Sequence, residues 1–467
     1  MLSSVLLSFS NALGTSEDAL RLLISILLGF PIALLHRYTL YGKSPVSQHL
    51  LFISSGLLLC YWNYGLDVIH SATSVCITYL ILKFLGGTTL SVVATFVFNM
   101  SYLLYGYYET GTHDYDIKWT MPQCVLTLRL IGLAFNVLDG RQPEGKLSAS
   151  QKQVALKEQP TFLEVVGFAY FPGSFLVGPQ FSMKRYLDFV NGQLMADILK
   201  KGELPACVNH AVYRILMGFV YLILFQLGTS YISNEYMLSI ELLKQSFLKR
   251  LLIIGFWGHV NLYKYIGCWL FSEGVCTAFG LTYTGKDEKG QFLWNGCENV
   301  KLLTFETANR FNHYIMSFNI NTNNWSAEYI YKRLKFMGSK LYSQFFTLLF
   351  LALWHGFHSG YYLCFLFEFL IMYAERDVTD ILNKQEKLQS FMKAHPELRI
   401  LFAIVTAVYT VIFMGYSMTC FILLSHTRYN AVYSSVYYCG HIMYMSYPIV
   451  SILLKKFFLK RRPKKVD

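Results

Sequence analysis

The stretch LLFLALWHGFHSGYYLCFLFEFLIMY, residues 348–373, decides the fold class of this chain. It is apolar over most of its length and exceeds the about 20 residues that an α-helix needs to cross a bilayer. Because backbone polar groups in lipid must be satisfied within the segment, a helix is favoured over irregular structure. The stretch therefore predicts a membrane-spanning helix, and its two histidines, His355 and His358, require an explanation.

The rest of the chain has the same character. Its 467 residues are 54% hydrophobic, 17% aromatic and only 15% charged, whereas about 25% of the residues in a soluble domain are charged. Together the apolar runs predict an all-α, polytopic membrane protein with about ten or eleven transmembrane helices. The other runs are residues 22–35, 50–62, 68–85, 90–107, 124–137, 212–232, 251–271, 400–424 and 432–454.

The chain shows no internal repeat and no long flexible linker. We therefore expect one integrated membrane domain over residues 1–467. Residues 15–18, Thr-Ser-Glu-Asp, are typical of a helix N-cap placed ahead of the first apolar run. We expect this first run to be retained as a signal anchor rather than cleaved.

Basic residues outnumber acidic ones by 40 to 28, which gives a formal net charge of +12. Because they gather in loops and in the tail 455–467, the excess indicates membrane topology rather than nucleic-acid binding. The positive-inside rule then places the C-terminus in the cytosol, and Lys464-Lys465 resembles the dilysine signal that returns membrane proteins to the endoplasmic reticulum. A basic tail that only binds anionic lipid is the alternative.

Ten cysteines are scattered between Cys60 and Cys439 without a CxxC pair. Most lie in apolar runs, where a free thiol behaves as a small hydrophobic side chain. We expect neither a disulfide framework nor a structural metal site.

The interval 183–206 shows apolar residues at helical spacing among charged ones. This pattern predicts an amphipathic helix that lies in the membrane interface, although a connector packed on the helical bundle fits the pattern equally well. The apolar positions are Met183, Tyr186, Leu187, Val190, Leu194 and Ile198.

An imidazole inside a membrane span is costly unless it faces a partner or a cavity, so His355 and His358 are candidates for function. On one helix, residues three apart would lie about 60° apart and share a face only roughly. Metal binding by the pair is disfavoured because no third ligand is recognisable and the spacing is not that of HExxH. A hydrogen-bonded packing role and a catalytic base are the remaining readings.

The stretch SFNINTNNW, residues 317–325, places four asparagines at the edge of apolar sequence. An asparagine amide that faces lipid must find partners, so these residues are also candidates for a buried polar site. The alternative is an asparagine-rich turn whose side chains cap their own backbone.

Together, LALWHGFHSGYY (351–362) and SFNINTNNW resemble the signature of the membrane-bound O-acyltransferase family. The resemblance extends over nearly the whole chain through YDIKWTMPQCVLTLRLIGLAFNVLDG, FLVGPQFSM, LYKYIGCWL and YIYKRLKF. It implies helices around a buried reaction chamber, with His355 as the catalytic histidine. The essential asparagine falls on Asn319, 36 residues earlier, and His358 and Asn321 rank below as competitors.

The resemblance also implies a reaction. A fatty acyl group, preferably polyunsaturated, would pass from acyl-CoA to the sn-2 hydroxyl of lysophosphatidylcholine or a related lysophospholipid, without a metal or cofactor, in the endoplasmic reticulum. An alcohol is a weak nucleophile, so it needs a base, and burial would keep the His355 imidazole neutral and able to accept a proton. Asn319 would either orient the imidazole or donate to the developing oxyanion.

Five further residues are substrate-binding candidates. The cations Lys332, Arg333 and Lys335 follow the asparagine motif and could bind the CoA phosphates, although a solvated basic flank is the alternative. Trp325 and Trp354 lie inside the two motifs and are the other two candidates. Acyl-CoA, lysophospholipids and membrane lipids are the expected partners, and the sequence leaves open whether the protein forms a homo-oligomer.

Two rival functions fit parts of the sequence. Another acyltransferase of the same family, with a diacylglycerol, sterol or protein acceptor, would share the histidine. A lipid transporter or scramblase would predict inverted repeats or paired charges inside the membrane. The obvious candidates for such charges are Lys264, Glu273 and Glu368, and no repeat is visible.

Overall fold

The structure is a computed structural model that describes residues 2–112, 116–199 and 204–458. Its regular structure is almost entirely α-helical, which confirms the predicted all-α class. The helices in the first half are α1 (Leu2–Leu13), α2 (Glu17–Thr39), α3 (Pro45–Tyr64), α4 (Val68–Leu85), α5 (Thr89–Thr110), α6 (Thr120–Gly140), α7 (Ala149–Val154), α8 (Phe162–Ala169), α9 (Met183–Val190), α10 (Ala196–Leu199) and α11 (Val208–Tyr231).

The second half continues in the same way, with one small antiparallel ribbon of β1 (Gly285–Lys286) and β2 (Phe292–Leu293). A π-helical turn, Ala327–Tyr331, and a 3₁₀ turn, Lys332–Met337, follow the seventeenth helix. The helices are α12 (Asn234–Met237), α13 (Ile240–Leu243), α14 (Phe247–Phe279), α15 (Leu302–Glu306), α16 (Phe311–Ser317), α17 (Ile320–Ser326), α18 (Lys340–His355), α19 (Ser359–Asn383), α20 (Glu386–Ala394), α21 (Pro396–Leu423), α22 (His426–Ser435) and α23 (Cys439–Phe458).

Six of the described helical stretches are long and apolar enough to cross a membrane. The remaining apolar runs also fold as helices, within α14, α18, α19, α22 and α23. The predicted total of about ten or eleven spans stays a prediction. The six stretches are Glu17–Thr39, Pro45–Leu85, Thr89–Thr110, Thr120–Gly140, Val208–Tyr231 and Pro396–Leu423.

The start of α2 follows the predicted N-cap. The Ser16 side chain accepts a hydrogen bond from the Ala19 N–H at 3.2 Å, and Glu17 and Asp18 occupy the first turn. A hydroxyl cap satisfies one of the unpaired amides of a helix start, and acidic residues there complement the helix dipole. The start of α2 was therefore readable from the sequence.

Tertiary contacts group the chain into two compact units. Unit 1 comprises the described parts of Met1–Leu222, Lys264–Val300 and Asn319–Phe336, and unit 2 those of Ile223–Tyr263, Lys301–Phe318 and Met337–Asp467. The single integrated domain over residues 1–467 stays a prediction.

Aromatic side chains form the centre of unit 1. The rings of Phe52 and Phe171 lie 5.0 Å apart, and Phe171 lies 4.8 Å from Phe279 and 6.1 Å from Tyr186. Tyr186 comes from α9, and with Met183 it is fully buried. The apolar face of α9 is therefore covered by protein, as the packed-connector alternative predicts, and the helix ends at Val190 instead of continuing through the whole amphipathic interval.

A buried arginine ties α6 to the segment between α8 and α9. The Arg129 guanidinium, 2% exposed, donates to the Phe168 carbonyl at 3.0 Å and to the Ser174 hydroxyl at 2.9 Å. It also lies 5.1 Å from the rings of Phe168 and Phe181. Backbone carbonyls accept hydrogen bonds from this cation in place of a carboxylate, and no sequence pattern indicated that position 129 would be buried.

In unit 2, α19 packs against α18, α21 and α23. Close approach to α21 depends on Gly360, because a Cβ atom there would lie 2.0 Å from the Cys420 carbonyl oxygen. At its other end α19 carries Asp377, which accepts a hydrogen bond from Lys455 Nζ at 2.6 Å. The first residues of the predicted basic tail, 455–458, thus belong to α23, and the remainder, with the dilysine pair Lys464-Lys465, lies outside the described residues.

The opening stretch 348–373 folds as two helices, so the prediction of one spanning helix there is wrong. Gly356 follows the last residue of α18 with a φ of 120°, a conformation that favours glycine and that ends the helix. His358 then adopts extended backbone and forms the N-cap of α19. The two histidines therefore belong to different helices, and the approximate shared face expected for one continuous helix does not exist.

Candidate active site

His355 is the last residue of α18 and lies directly before the break at Gly356. Four aromatic rings surround its half-buried side chain. Such an enclosure keeps water scarce around the imidazole without bonding to it. The ring centroids of Trp354, Phe421, Tyr361 and Phe365 lie 4.7, 5.1, 5.3 and 5.5 Å from that of His355.

Neither ring nitrogen of His355 makes a hydrogen bond or ion pair with any group in the part of the chain that the structure describes. A buried polar group normally has such a partner. A neutral imidazole held by aromatic rings, with an unused nitrogen, can accept a proton from a bound hydroxyl. The surroundings of His355 are therefore those expected of a general base.

His358 occupies a different position. Its carbonyl accepts a hydrogen bond from the Tyr361 N–H at 3.0 Å, and its ring lies 5.8 Å from that of Tyr361. The residue forms the start of α19 instead of lying within the aromatic enclosure around His355. The rank of His358 below His355 stays a prediction.

Asn319 is the N-cap residue of α17 and has a left-handed backbone with a φ of 51°. Asparagine is one of the few residues other than glycine that tolerate this conformation. The carboxamide makes no hydrogen bond with a described residue and does not cap its own helix, and the side chain is half-buried. Asn319 therefore presents a carboxamide that is available to another group.

Asn321 behaves in the opposite way. Its carboxamide nitrogen donates to the Cys297 carbonyl at 3.1 Å, to the Glu298 carbonyl at 3.2 Å and to Asn299 Oδ1 at 3.2 Å. Its backbone N–H donates to the same Asn299 oxygen at 2.9 Å. The side chain thus holds the asparagine motif against residues 297–299. Neither Asn321 nor Asn319 caps its own backbone, so the turn alternative applies to neither residue.

A buried ion pair supports the contacts between Asn321 and residues 297–299. Arg214 Nη2 lies 2.7 Å from Glu273 Oε2, and the same carboxylate oxygen accepts a hydrogen bond from the Asn299 N–H at 3.3 Å. The Asn299 carbonyl in turn accepts from the Ile320 N–H at 3.0 Å. The backbone on the C-terminal side of Asn319 is therefore fixed to the core of unit 1.

Most of these contacts were not predictable from the sequence. Glu273 stood out as an unusual charge near an apolar run, but nothing identified Arg214 or Asn299 as its partners. Two opposite charges inside apolar helices are a usable signal for a buried ion pair, yet the choice of partner depends on which segments meet in space.

The predicted CoA-binding cations differ in their availability. Arg333 is engaged by the buried carboxylate of Asp139, with Nη1 at 2.9 Å from Oδ1. Lys332 Nζ lies 2.5 Å from Glu328 Oε2. Lys335 is exposed and makes no ion pair with any described residue. Of the three cations, Lys335 is the most accessible to a phosphate. The assignment of all three to CoA stays a prediction.

The two tryptophans are largely buried, each 7% exposed. Trp325 packs against Gly132 of α6, where a Cβ atom would lie 2.9 Å from Nε1, and its ring lies 5.3 Å from that of Tyr329. Trp354 forms one side of the enclosure of His355. Substrate contact by these two residues stays a prediction.

His355 belongs to unit 2 and Asn319 to unit 1. Their convergence on one reaction centre stays a prediction. All ten cysteines are free thiols, and the described residues contain no group of three or more His, Cys, Asp and Glu side chains that could hold a metal ion.

These observations define a class of protein: a helical membrane protein in which a histidine without a described hydrogen-bond partner lies at a helix break. The membrane-bound O-acyltransferase family matches residues 102–419 of the chain. The chain belongs to that family, and it is accordingly a multi-pass membrane acyltransferase.

Individual relatives are similar over almost the full length. Lysophospholipid acyltransferase 5 of Mus musculus is 44% identical, over 97% of this chain and 93% of the relative. The protein of the same name from Homo sapiens has the same identity and coverage. That from Drosophila melanogaster is 43% identical, over 92% of this chain and 86% of the relative.

Proposed function

We propose that this chain is a lysophospholipid O-acyltransferase, which moves a fatty acyl group from acyl-CoA to the sn-2 hydroxyl of lysophosphatidylcholine and related lysophospholipids. The observation that carries the chemistry is the aromatic enclosure of His355, whose ring nitrogens are both unbonded within the described residues. The names of the relatives support the choice of a lysophospholipid as the acceptor.

In the proposed reaction His355 acts as the general base. An unbonded imidazole nitrogen accepts the proton of the acceptor hydroxyl while the hydroxyl oxygen attacks the carbonyl carbon of the thioester. The new C–O ester bond forms, the tetrahedral intermediate collapses and the C–S bond breaks. His355 then gives its proton to the departing sulfur, so that CoA leaves as a thiol and the imidazole returns to its neutral form.

Asn319 is the proposed assisting residue. A carboxamide N–H can stabilise the negative charge that develops on the thioester oxygen, and removal of one such donor typically lowers kcat by about 10² to 10³. The same group could instead orient the imidazole. Both roles require a carboxamide that is not already bonded, and Asn319 satisfies this requirement whereas Asn321 does not.

An apolar enclosure serves this chemistry because water competes with the lipid hydroxyl for the thioester. Holding both substrates together in a dry site raises their effective concentration and excludes hydrolysis. The phosphates of acyl-CoA must remain near water, and Lys335 is the proposed contact for them. No metal or cofactor takes part in the proposed reaction, so activity should survive exhaustive treatment with a chelator.

The endoplasmic reticulum is the proposed location, with the C-terminus in the cytosol. The proposal rests on the basic tail 455–467 and on Lys464-Lys465. An epitope placed after residue 467 should react with antibody when only the plasma membrane is permeabilised. Reaction only after the inner membranes are opened would contradict the cytosolic orientation.

The acceptor is tested with purified protein, labelled polyunsaturated acyl-CoA and separate panels of lysophospholipids, diacylglycerol, cholesterol and peptide. We expect labelled phosphatidylcholine, formed from lysophosphatidylcholine, as the main product. A labelled triacylglycerol, sterol ester or acyl-peptide would identify another acceptor class. Movement of lysolipid across reconstituted vesicles without acyl transfer would favour the transporter reading.

A further inference from the structure

Glu368 of α19 lies on the helix face that carries the contacts of His355. The rings of Tyr361 and Phe365 pack against His355 at 5.3 and 5.5 Å. At about 100° per residue, positions 361, 365, 368 and 372 fall within about 60° of one another around the helix. Glu368 therefore projects to the same side as the two rings, about 4.5 Å further along the axis than Phe365.

The contact beyond Glu368 fixes its position more closely. Met372, one turn further on, has its sulfur 3.7 Å from Gln344 Nε2 of α18. On α19, Glu368 thus lies between residues that contact His355 and a residue that contacts Gln344, both on α18. The carboxyl group faces the groove between these helices, on the same side as the candidate base.

The Glu368 carboxyl group has no partner among the described residues. The side chain is half-buried, and its carboxyl makes no hydrogen bond or ion pair with any residue in the described ranges. On the same helix, Asp377 receives bonds from Tyr447, Ser451 and Lys455.

Buried carboxylates within membrane helices are ordinarily paired, because an isolated charge in an apolar medium is strongly unfavourable. Among the described residues, Asp377 has such a partner and Glu368 has none. A cationic group of a bound substrate would supply one.

We propose that Glu368 binds the cationic head-group amine of the acyl acceptor. The inference rests on the proposed lysophospholipid acyltransferase function. Of the two substrates, acyl-CoA carries only anionic phosphates near neutral pH, whereas lysophosphatidylcholine and lysophosphatidylethanolamine each carry a positive nitrogen. In these lipids a phosphodiester and a two-carbon link join that nitrogen to the glycerol that bears the reacting hydroxyl.

The surroundings suit this ligand. A quaternary ammonium cannot donate a hydrogen bond, and it is recognised by negative charge and by aromatic faces. Phe365 and Tyr361 lie on the same helix face as Glu368 and extend from it toward His355. The carboxylate would hold the head group while the glycerol hydroxyl reaches the imidazole, so Glu368 determines which lysophospholipids are good acceptors.

The test compares acceptors with and without an amine. In Glu368→Gln, kcat/KM for lysophosphatidylcholine and lysophosphatidylethanolamine should fall about 10- to 100-fold, the loss expected for a buried charge-assisted contact. For lysophosphatidylglycerol, which has no amine, it should change less than about threefold. Glu375→Gln is the matched control, because this carboxylate lies on the same helix and accepts a hydrogen bond from the Asn312 N–H at 3.2 Å. It should leave the ratio between the two acceptor types unchanged.

A Glu368→Gln variant that loses activity equally on all three acceptors, or on none of them, overturns the head-group assignment while leaving the acyltransferase proposal intact. Wild-type protein that acylates no lysophospholipid refutes the proposed function and the inference with it.

Competition with wild-type protein provides a second test that does not depend on folding of the variant. Dodecylphosphocholine should inhibit acylation at least about tenfold more strongly than a dodecyl phosphoglycerol of the same tail. Equal inhibition by the two would also overturn the assignment.

Discussion

Two histidines of unit 2 lie in similar aromatic surroundings and differ in what their nitrogens contact. On α14, His259 Nδ1 lies 3.0 Å from the Tyr314 hydroxyl and Nε2 lies 3.2 Å from Glu306 Oε2, while the ring stacks on Phe305 at 4.9 Å. His355 is enclosed by rings at similar separations and has no such partner among the described residues. Both are imidazoles in apolar sequence, and only the unbonded one can exchange a proton with a substrate without breaking a structural contact.

The same difference separates two neighbouring asparagines of unit 1. The Asn321 carboxamide donates hydrogen bonds to the backbone of residues 297–298 and to Asn299. The Asn319 carboxamide makes no hydrogen bond in the described structure. Buried polar groups that are bonded within the protein stabilise it. Polar side chains without a protein partner are the better candidates for catalysis. The predictions below test this distinction.

The largest effect should come from His355→Ala. Loss of a positioned base typically costs about 10² to 10⁴ in rate, so acyl transfer should nearly disappear while the protein remains folded and monodisperse in detergent. Turnover close to that of the wild type would show that His355 is not the base.

His259→Ala is the matched comparison for His355→Ala. Its two hydrogen bonds are lost, so the free energy of unfolding should fall by about 1–3 kcal/mol, measured by thermal denaturation in detergent. Because the ring does not take part in the proposed chemistry, kcat per folded molecule should change less than about threefold. A loss as large as that of His355→Ala would abolish the distinction between bonded and unbonded histidines.

For Asn319→Ala we expect kcat to fall by about two to three orders of magnitude with the KM for either substrate little changed. Asn321→Ala should lower stability and lower kcat by no more than about tenfold, because its amide is bonded to the protein and holds the segment that carries Asn319. The two variants are compared by steady-state kinetics and by thermal denaturation. A rise in KM alone for Asn319→Ala would point to substrate binding instead.

Asn299→Ala should lower kcat by about tenfold, because Asn299 Oδ1 accepts two bonds from Asn321 and so holds the segment that carries Asn319. The effect operates through Asn319 in this interpretation. In an Asn319→Ala background, the second substitution should therefore cost almost nothing further in kcat. Additive losses in the double variant would show that Asn299 does not act through Asn319.

The smallest effect should come from Lys335→Glu, which is expected to raise the KM for acyl-CoA about two- to fivefold without lowering kcat, as suits an exposed charge. Raising the salt concentration should weaken the difference from the wild type. Lys289→Glu, on the exposed loop between β1 and β2, is the charge-matched control. Equal KM values for the two variants would remove Lys335 from the CoA contact.

The positions of the helices were largely predictable from the sequence. The predicted runs 22–35, 68–85 and 90–107 fall within α2, α4 and α5, because a long apolar segment in a membrane protein has few alternatives to a helix. The break at Gly356 was not predictable from hydrophobicity, since the residues on both sides are equally apolar. Only the backbone conformation of the glycine separates α18 from α19.

The sequence by itself determined the helical membrane class, the family resemblance and the identity of His355 and Asn319 as candidates, because these depend on local composition and on short motifs. Tertiary structure alone decided which polar side chains are occupied by protein partners. Arg333 is engaged by Asp139 of α6, Asn321 by residues 297–299, and His259 by Tyr314 and Glu306. Such pairings join residues far apart in the chain, so they depend on which segments fold against each other and leave no periodic pattern in the sequence.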